Sequence, residues 1–414
     1  MQIQIPERVP VKAILNRYYV FFLKTPSSNY DFCNKKHALL RTRRSPLLIY
    51  FLIAIWVGLQ TANLWQPKHP GTLYRYTIHQ PYPVTAALTF LFIAAVLAAP
   101  VTGDMSRYLA QLHLNSTLTM PEALASVRWE PGFVVYQWLV SVLTTSQTFF
   151  IGLTAMLMWV LLFFTLKKVV PVSYLPLLLF GYVSFFEYFN LATNIIRQGF
   201  VIHLMLLMIV MLKEDRYIKG ILLVAAASLF HISGIITAGL LLIRKLRISV
   251  AFLIGALGLG TLLMLTGMHQ QIMITVAGLV GGTVEDTVLR FTSDEFVDRY
   301  GGIVNRLDFL GFTLFWAVWG AAFYYLYLRK DEWYMWILKC YLALSVVFTL
   351  FAFIAYSDRI AMFAWFLVPI LLFYPITRMT GRMKTAGIAG TILIAVLMVF
   401  FFDVTPYFAR LPGY

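Results

Sequence analysis

Charge is what this sequence has least of. Only 12% of its residues are Asp, Glu, Lys or Arg, against roughly 25% in soluble domains, while 60% are hydrophobic and the mean hydropathy is +0.77. That balance excludes a soluble globular chain and points to one that crosses a membrane many times. Acidic residues are the scarcest, 18 against 33 Lys and Arg, for a formal net charge of +15. A nucleic-acid partner would need the cations on one exposed face. Here they sit in short turns between apolar runs, where they report orientation in a bilayer. Cysteine is nearly absent: Cys33 and Cys340 are far apart, so neither a disulfide framework nor a zinc site is implied. Met1 to Ser45 is polar and basic and lacks the apolar core of a cleavable signal peptide.

Catalytic signatures are missing too. The sequence has no Walker A loop, GxGxxG, HExxH or GxSxG, so nucleotide hydrolysis, dinucleotide redox chemistry, zincin proteolysis and the α/β-hydrolase mechanism lack their usual residues. Nor is there a D-x-D for a metal-bound nucleotide-sugar. No cofactor and no metal is called for, and an enzyme of this kind would take a lipid-borne donor.

Apolar runs of span length fill what remains. They lie at Pro46 to Trp65, Pro83 to Val101, Val172 to Phe189, Ile195 to Leu212, Ile248 to Met268, Leu307 to Leu328, Trp333 to Tyr356, Ile360 to Ile376 and Ala386 to Phe402. Phe133 to Leu166 is longer than one span needs and is interrupted by TTSQ; it reads as a short, re-entrant helix followed by a full span. Turns at Lys167/Lys168, Lys213/Arg216/Lys219, Arg244/Lys245/Arg247, Arg329/Lys330 and Arg378/Arg382/Lys384 belong in the cytosol by the positive-inside rule. Asn190 to Arg197, His269 to Arg306, Ser357 to Arg359 and the C-terminus then face outside. Ile218 to Ile243 has basic residues at both ends, so it enters and leaves on the cytosolic side, turning at His231. The predicted fold is all-α: a polytopic transmembrane helix bundle of roughly ten to twelve spans including a re-entrant segment, with no soluble domain. A basic tail (1–45) precedes a membrane domain (46–414) with extramembrane loops near 102–132 and 269–306. The tail's cations place it in the cytosol, yet two spans over 46–101 would then put the 102–132 loop there as well. If that loop is external, so is the tail.

Residues 187 to 234 carry most of the polar chemistry found in the apolar spans. Asn190, Asn194 and Arg197 fall at i, i+4 and i+7, one face of a helix, and Gln198 extends the stripe. An arginine within a span costs roughly 2.5 to 3.5 kcal/mol on insertion scales, so its retention asks for a purpose, snorkelling at a span end being the plainer reading. His231, with Ser233 beside it, interrupts another apolar run, either as a functional group or as a satisfied histidine at a helix junction. Elsewhere Asp104, Arg107 and Glu130 stand in the 102–132 interlude, and Asp358 with Arg359 at the start of a late span. Asp104 would serve equally as a helix cap, Glu130 as part of a turn before Pro131, and Asp358 and Arg359 as caps paired with each other. Arg290, Arg299 and Arg306 in the mixed-charge loop are weaker candidates for substrate contact.

The succession GDMSRYL, WEPGFVVYQWLVSVL, FEYFNLATNIIRQGFVIHLMLL, LVAAASLFHISGII and YSDRIAMFAWFLVPI resembles the EpsG/Wzy group of bacterial polysaccharide polymerases over about Thr102 to Leu372. The resemblance implies a multi-pass protein of the bacterial inner membrane. It would join undecaprenyl-diphosphate-linked oligosaccharide repeat units into O-antigen, capsule or exopolysaccharide at the outer face. Its partners would be that lipid-linked oligosaccharide, membrane lipid, a chain-length regulator and a flippase. A diphosphate calls for guanidinium groups: Arg197 and Arg359 first, Arg107 third, with Gln198, Asn190, Asn194, Asp358 and Ser233 around them. A general base for the acceptor hydroxyl would be His231, Asp104 or Glu130. A flippase or transporter of similar lipids would also need buried Arg and Asn, but should show related halves, which the sequence lacks. A membrane acyltransferase using His231 is the third alternative.

Overall fold

Why the chain is helical follows from its solvent. In hydrocarbon every backbone N–H and C=O must be satisfied within its own segment, which long apolar helices do. The structure, a computed structural model, describes residues 44–63, 81–101, 103–293, 295 and 304–401; from Pro46 onward they belong to one compact unit. Among the described residues there is no strand. Among them seven helical stretches are long and apolar enough to cross a bilayer, or nine spans if each of two bent helix pairs counts as one. The N-terminal tail, Arg299 and the C-terminal residues 402–414 lie outside the described residues.

Helix α1 (Arg44–Asn63) and α2 (Pro81–Ala98) are followed by two short amphipathic helices, α3 (Gly103–Asn115) and α4 (Met120–Ser126). Then come α5 (Pro131–Leu143) and α6 (Gln147–Val169), the short helix and full span expected, broken where Ser146 caps α6 by accepting from the Phe149 N–H. Side chains near the turn bridge them, the Tyr136 and Thr154 hydroxyls lying 2.6 Å apart, while α5 packs chiefly on α3, α4 and the later helix Tyr217–Phe230. Helices α7 (Leu175–Val183) and α8 (Phe186–Thr193) precede α9 (Ile196–Lys213). After α10 (Tyr217–Phe230), a 3-10 turn over Ile232–Thr237 leads into α11 (Ala238–Lys245). Helices α12 (Val250–Thr266) and α13 (Met268–Val280) are bent by 96° about Gly267, and α14 (Gly282–Thr292) follows. The rest is α15 (Leu307–Leu326), α16 (Glu332–Leu350), α17 (Ser357–Trp365), α18 (Val368–Arg378) and α19 (Gly381–Phe401).

Ion pairs gather the basic turns at one end of the bundle. Lys168 reaches Glu214 at 3.4 Å, Lys213 reaches Glu332 at 2.7 Å, and Arg378 reaches Asp331 at 2.8 Å. The run Ile218 to Ile243 does return to the level where it began: Arg244, near the end of α11, donates to Asp215 at 2.7 Å, and the chain turns at His231, whose backbone is extended between α10 and the 3-10 turn.

These contacts also settle where the 102–132 segment lies. Gln60 donates to the Ser173 carbonyl and Tyr50 pairs with Ser184, so α1 runs down toward the basic end. Thr89 accepts from Trp159 while Leu97 lies beside Gly152, so α2 runs antiparallel to α6, away from the basic end. Residues 103–132 therefore sit opposite the basic turns, and the short α5 does not have to cross.

Two expected spans are corrected. Val172 to Phe189 is not one straight helix: α7 and α8 meet at 76° where Ser184 turns its hydroxyl back onto the Phe180 carbonyl, a local bond that competes with helix continuation. Trp333 to Tyr356 is helical only to Leu350, after which 351–356 form turns.

With Cys33 replaced, and Cys340 buried, single cysteines at the exposed positions Ser116 and Thr380 should react with a membrane-impermeant thiol reagent from opposite sides. Labelling of both from one side would overturn this arrangement.

Candidate functional site

The polar residues opposite the basic end converge from five segments on one cluster. It begins at the N-terminus of α3. Gly103 has φ +56°, and a Cβ there would stand 2.5 Å from Asn194 Oδ1; only glycine lets the chain adopt this left-handed conformation against that amide. The Asp104 N–H then donates to Asn194 Oδ1 at 2.9 Å. Asn194 in turn donates to Asn190 at 3.2 Å, and Asn190 to the buried Glu187 at 3.0 Å. This relay fixes the backbone of Asp104 and so aims its carboxylate.

Asp104 is contacted by two guanidinium groups: Arg107, one turn along α3, on Oδ1, and Arg359 of α17 on Oδ2 at 3.2 Å. Arg107 is largely in solvent, its side chain 72% exposed against 13% for Asp104. Arg359 lies over the Tyr356 ring, 4.5 Å from its centroid, and its backbone carbonyl accepts from Gln198 of α9. Asp358 stands in the first turn of α17, whose N-cap, Tyr356, makes no side-chain capping bond. Neither the capping nor the ion pair with Arg359 suggested for Asp358 is the arrangement found: the Arg359 N–H donates to the Tyr356 carbonyl and its guanidinium reaches Asp104.

Arg197, at the start of α9, is held by a second carboxylate. Its Nη1 donates to Glu130 Oε2 at 2.5 Å and its Nε to the Tyr108 hydroxyl at 3.3 Å. The guanidinium lies over the rings of Trp129 and Tyr108, at 5.4 and 5.8 Å from their centroids, the cation–π geometry that favours Arg. The other oxygen of Glu130 accepts the Ile232 N–H at 2.8 Å. One carboxylate therefore links α5, α9 and the turn that carries His231. At that turn His231 Nδ1 accepts the Ser233 N–H at 3.1 Å and pairs with the Ser233 hydroxyl at 2.8 Å. Gly234 makes the turn possible, since a Cβ there would stand 2.6 Å from the Ser228 nitrogen at the end of α10.

The residues proposed for the diphosphate and for the base fall at this end, with roles that differ. Arg107, Arg197, Arg359, Asp104, Glu130, His231 and Ser233 form the charged cluster and its rim. Asn190, Asn194 and Gln198 support it from behind. The reading of Asn190, Asn194 and Arg197 as one helical face is corrected: Asn194 leaves the helix (φ −128°, ψ −65°) and α9 starts anew at Ile196. The residues still meet, because α8 delivers Asn190 and Asn194 sideways while α9 begins beside them. Arg306 stays apart, bonded to Asp308 and lying over Phe309.

The model of the EpsG family matches residues 82–412, four fifths of the chain and every residue of this cluster. The chain belongs to the EpsG family. No curated protein and no solved structure matches it. Membership makes it a multi-pass membrane protein of the polysaccharide-polymerase type.

Sequence reasoning missed Gly103, Tyr108 and Trp129. It also missed the amide network that docks α3 on α5, in which Gln111 bonds Asn115 and Ser126, Asn115 bonds Gln137, and Gln137 bonds the Tyr108 carbonyl. The Gln-x3-Asn spacing on an amphipathic helix was the available signal, because it puts two amides on one helix face. For this EpsG-family chain, Gly103→Ala should lower stability by about 1–3 kcal/mol through left-handed strain, with an added cost from the Asn194 contact. Gly255→Ala, a helical site with nothing within 4 Å, should be neutral or stabilising by up to about 1 kcal/mol. Thermal unfolding of the purified variants in detergent makes the comparison, and equal behaviour would contradict the role given to Gly103.

Proposed function

We propose that the chain is the polymerase that joins undecaprenyl-diphosphate-linked oligosaccharide repeat units into a surface polysaccharide, at the outer face of the bacterial inner membrane. The observation that carries this reading is the convergence of Arg107, Arg197 and Arg359 with Asp104 and Glu130 at the end opposite the basic turns. Cytosolic basic turns make that end external. From Arg197 to Lys213 a helix climbs about 24 Å, so on this reading the cluster lies near the outer boundary of a hydrocarbon layer of about 30 Å, next to the interface that holds the diphosphate of an outer-leaflet lipid.

The reaction needs three things from the protein: charge to hold and release a diphosphate, a group that takes the acceptor's proton, and geometry that brings acceptor to donor. The acceptor hydroxyl oxygen attacks the anomeric carbon of the lipid-linked donor. The new C–O bond forms as the bond from that carbon to the phosphate oxygen breaks, and the electron pair leaves with the undecaprenyl diphosphate. Direct attack inverts the anomeric centre. Guanidinium forks match phosphate oxygens two at a time, and Arg197 and Arg359 are both less than 40% exposed, where such contacts are less screened than in open water. Both are bonded to carboxylates, so an incoming diphosphate takes over contacts that Glu130 and Asp104 make.

The charge on the diphosphate is met by arginine and not by a divalent cation on this reading. Among the described residues no three His, Cys, Asp or Glu side chains gather as a metal-holding set, and the carboxylates of the cluster already serve the arginines. Purified protein in liposomes should therefore extend lipid-linked repeat units with EDTA present. Activity that disappears with chelator and returns with magnesium would refute the arginine reading. Arg197→Lys should lose long chains nearly as completely as Arg197→Ala, because lysine keeps the charge without the fork. Chain-length distributions normalised to membrane abundance decide this, and full activity of the lysine variant would reduce Arg197 to a generic positive charge.

A further inference from the structure

The hydrogen bonds around His231 fix which of its nitrogens carries the proton. A backbone N–H has no lone pair to offer and can only donate. The Ser233 N–H lies 3.1 Å from His231 Nδ1, so Nδ1 accepts and is unprotonated. The Ser233 hydroxyl, 2.8 Å from the same atom, adds a second donor. In the neutral ring the proton then sits on Nε2, and Nδ1 is closed to an incoming substrate. Neither nitrogen is left as a base: one lone pair is spent on the turn, and the other position already bears hydrogen. The lock is tight because the turn has little freedom. Ile232, between the two residues, gives its own N–H to Glu130 at 2.8 Å, and Gly234 gives its N–H to the His231 carbonyl at 2.9 Å.

From this geometry we infer that His231 acts as a neutral hydrogen-bond donor through Nε2–H to the departing diphosphate, and not as the base, an assignment that rests on the polymerase reading above. As the carbon–oxygen bond to phosphate breaks, negative charge builds on the phosphate oxygen. A fixed N–H aimed at it stabilises the transition state more than the ground state. His231 gives up no proton in the step.

The acceptor's proton goes instead to Asp104. Glu130 keeps one oxygen on a backbone N–H that stays where it is, even after a diphosphate has drawn Arg197 from the other. Among the described residues the oxygens of Asp104 accept from Arg107 and Arg359, both of them groups that a bound diphosphate draws away. Binding of the donor therefore frees the carboxylate that then receives the hydroxyl proton. The products are the extended chain, undecaprenyl diphosphate carrying the electron pair of the broken bond, and protonated Asp104, which returns its proton to water.

The discriminating variant is His231→Gln, whose side-chain amide places an N–H near the position of Nε2 but is not basic. The probe is lipid-linked repeat unit isolated from a strain lacking this gene, supplied to purified protein, with donor binding and chain extension both measured. His231→Ala should lose about a hundredfold or more in extension, while His231→Gln should stay within about tenfold of wild type. A His231→Gln protein that binds donor yet is as inactive as His231→Ala would overturn the donor role, and so would an alanine variant of undiminished activity. Should His231→Gln fail to accumulate, replacing the seven histidines with triazolylalanine, a nearly non-basic ring that keeps an N–H, carries the same comparison. Retained extension supports the donor and lost extension overturns it. A wild-type protein that extends nothing would sink the polymerase reading itself, whereas a defect confined to the variants leaves that reading standing.

Discussion

One carboxylate, that of Glu130, ties together the parts of the molecule on which its chemistry depends. It receives the Arg197 guanidinium on one oxygen and the Ile232 N–H on the other. Three problems of a membrane interior meet there. Arg197 is a charge that hydrocarbon would penalise heavily. The turn after His231 leaves helical geometry, and with it at least one N–H without an intrahelical partner. Glu130 is itself a charge with side-chain exposure of only 18%. Each is answered by the others, and removing any one would leave a charge or donor stranded in a poorly solvated place, a change that typically costs several kcal/mol in buried pairs.

The same logic governs the rest of the cluster. Helix interruptions are costly at membrane depth unless protein or water satisfies the freed groups, and here the restart at Ile196, the His231 turn and the turns that lead from Leu350 into α17 all adjoin the cluster. Gathering them lets a few side chains serve several breaks. Asn194 ends one helix and holds the start of α3 through the Asp104 N–H, while Gln198 reaches the Arg359 carbonyl at the opening of α17. Pre-organisation follows from this. Asp104 and Arg359 are fixed by their backbones as well as by their own contacts, so little is left to order when substrate arrives.

How much of this the sequence discloses depends on whether the signal is local. Most spans, the grouping of the basic turns and the turn at His231 are local properties of apolar runs and flanking charges, and the structure has them, apart from the bend within Val172 to Phe189 and the early end of the helix at Leu350. The bend at Asn194 is not, because the i, i+4, i+7 pattern of Asn190, Asn194 and Arg197 reads the same through a break as along a continuous helix. What breaks the helix is an amide bonded to a backbone N–H 90 residues away, and no window of sequence contains both. The position of the 102–132 segment was undecidable from charge for a related reason. Tail and loop gave opposite answers, and the structure decides through the pairing of α2 with α6 and of Asp104 with Arg359. Residues such as Tyr108 and Trp129 look like ordinary apolar ballast until Arg197 is placed against their rings.

If the cluster is the diphosphate site proposed above, its ion pairs bear on how such a site turns over. Arginines left bare in a half-buried cavity would bind any diphosphate tightly, including the lipid diphosphate left after transfer, and a polymerase must release that product after each addition. Carboxylates already bonded to the guanidinium groups reduce the net gain on binding, since each phosphate contact replaces an existing ion pair instead of adding to nothing. Interactions shared equally by ground and transition state do not accelerate the chemical step, so weakening them costs the reaction little. What must remain strong are contacts that grow as charge moves onto the leaving oxygen. On the proposed reading Glu130 and Asp104 act as competitors as well as supports: they hold the arginines in place before the diphosphate binds and reclaim them when it departs.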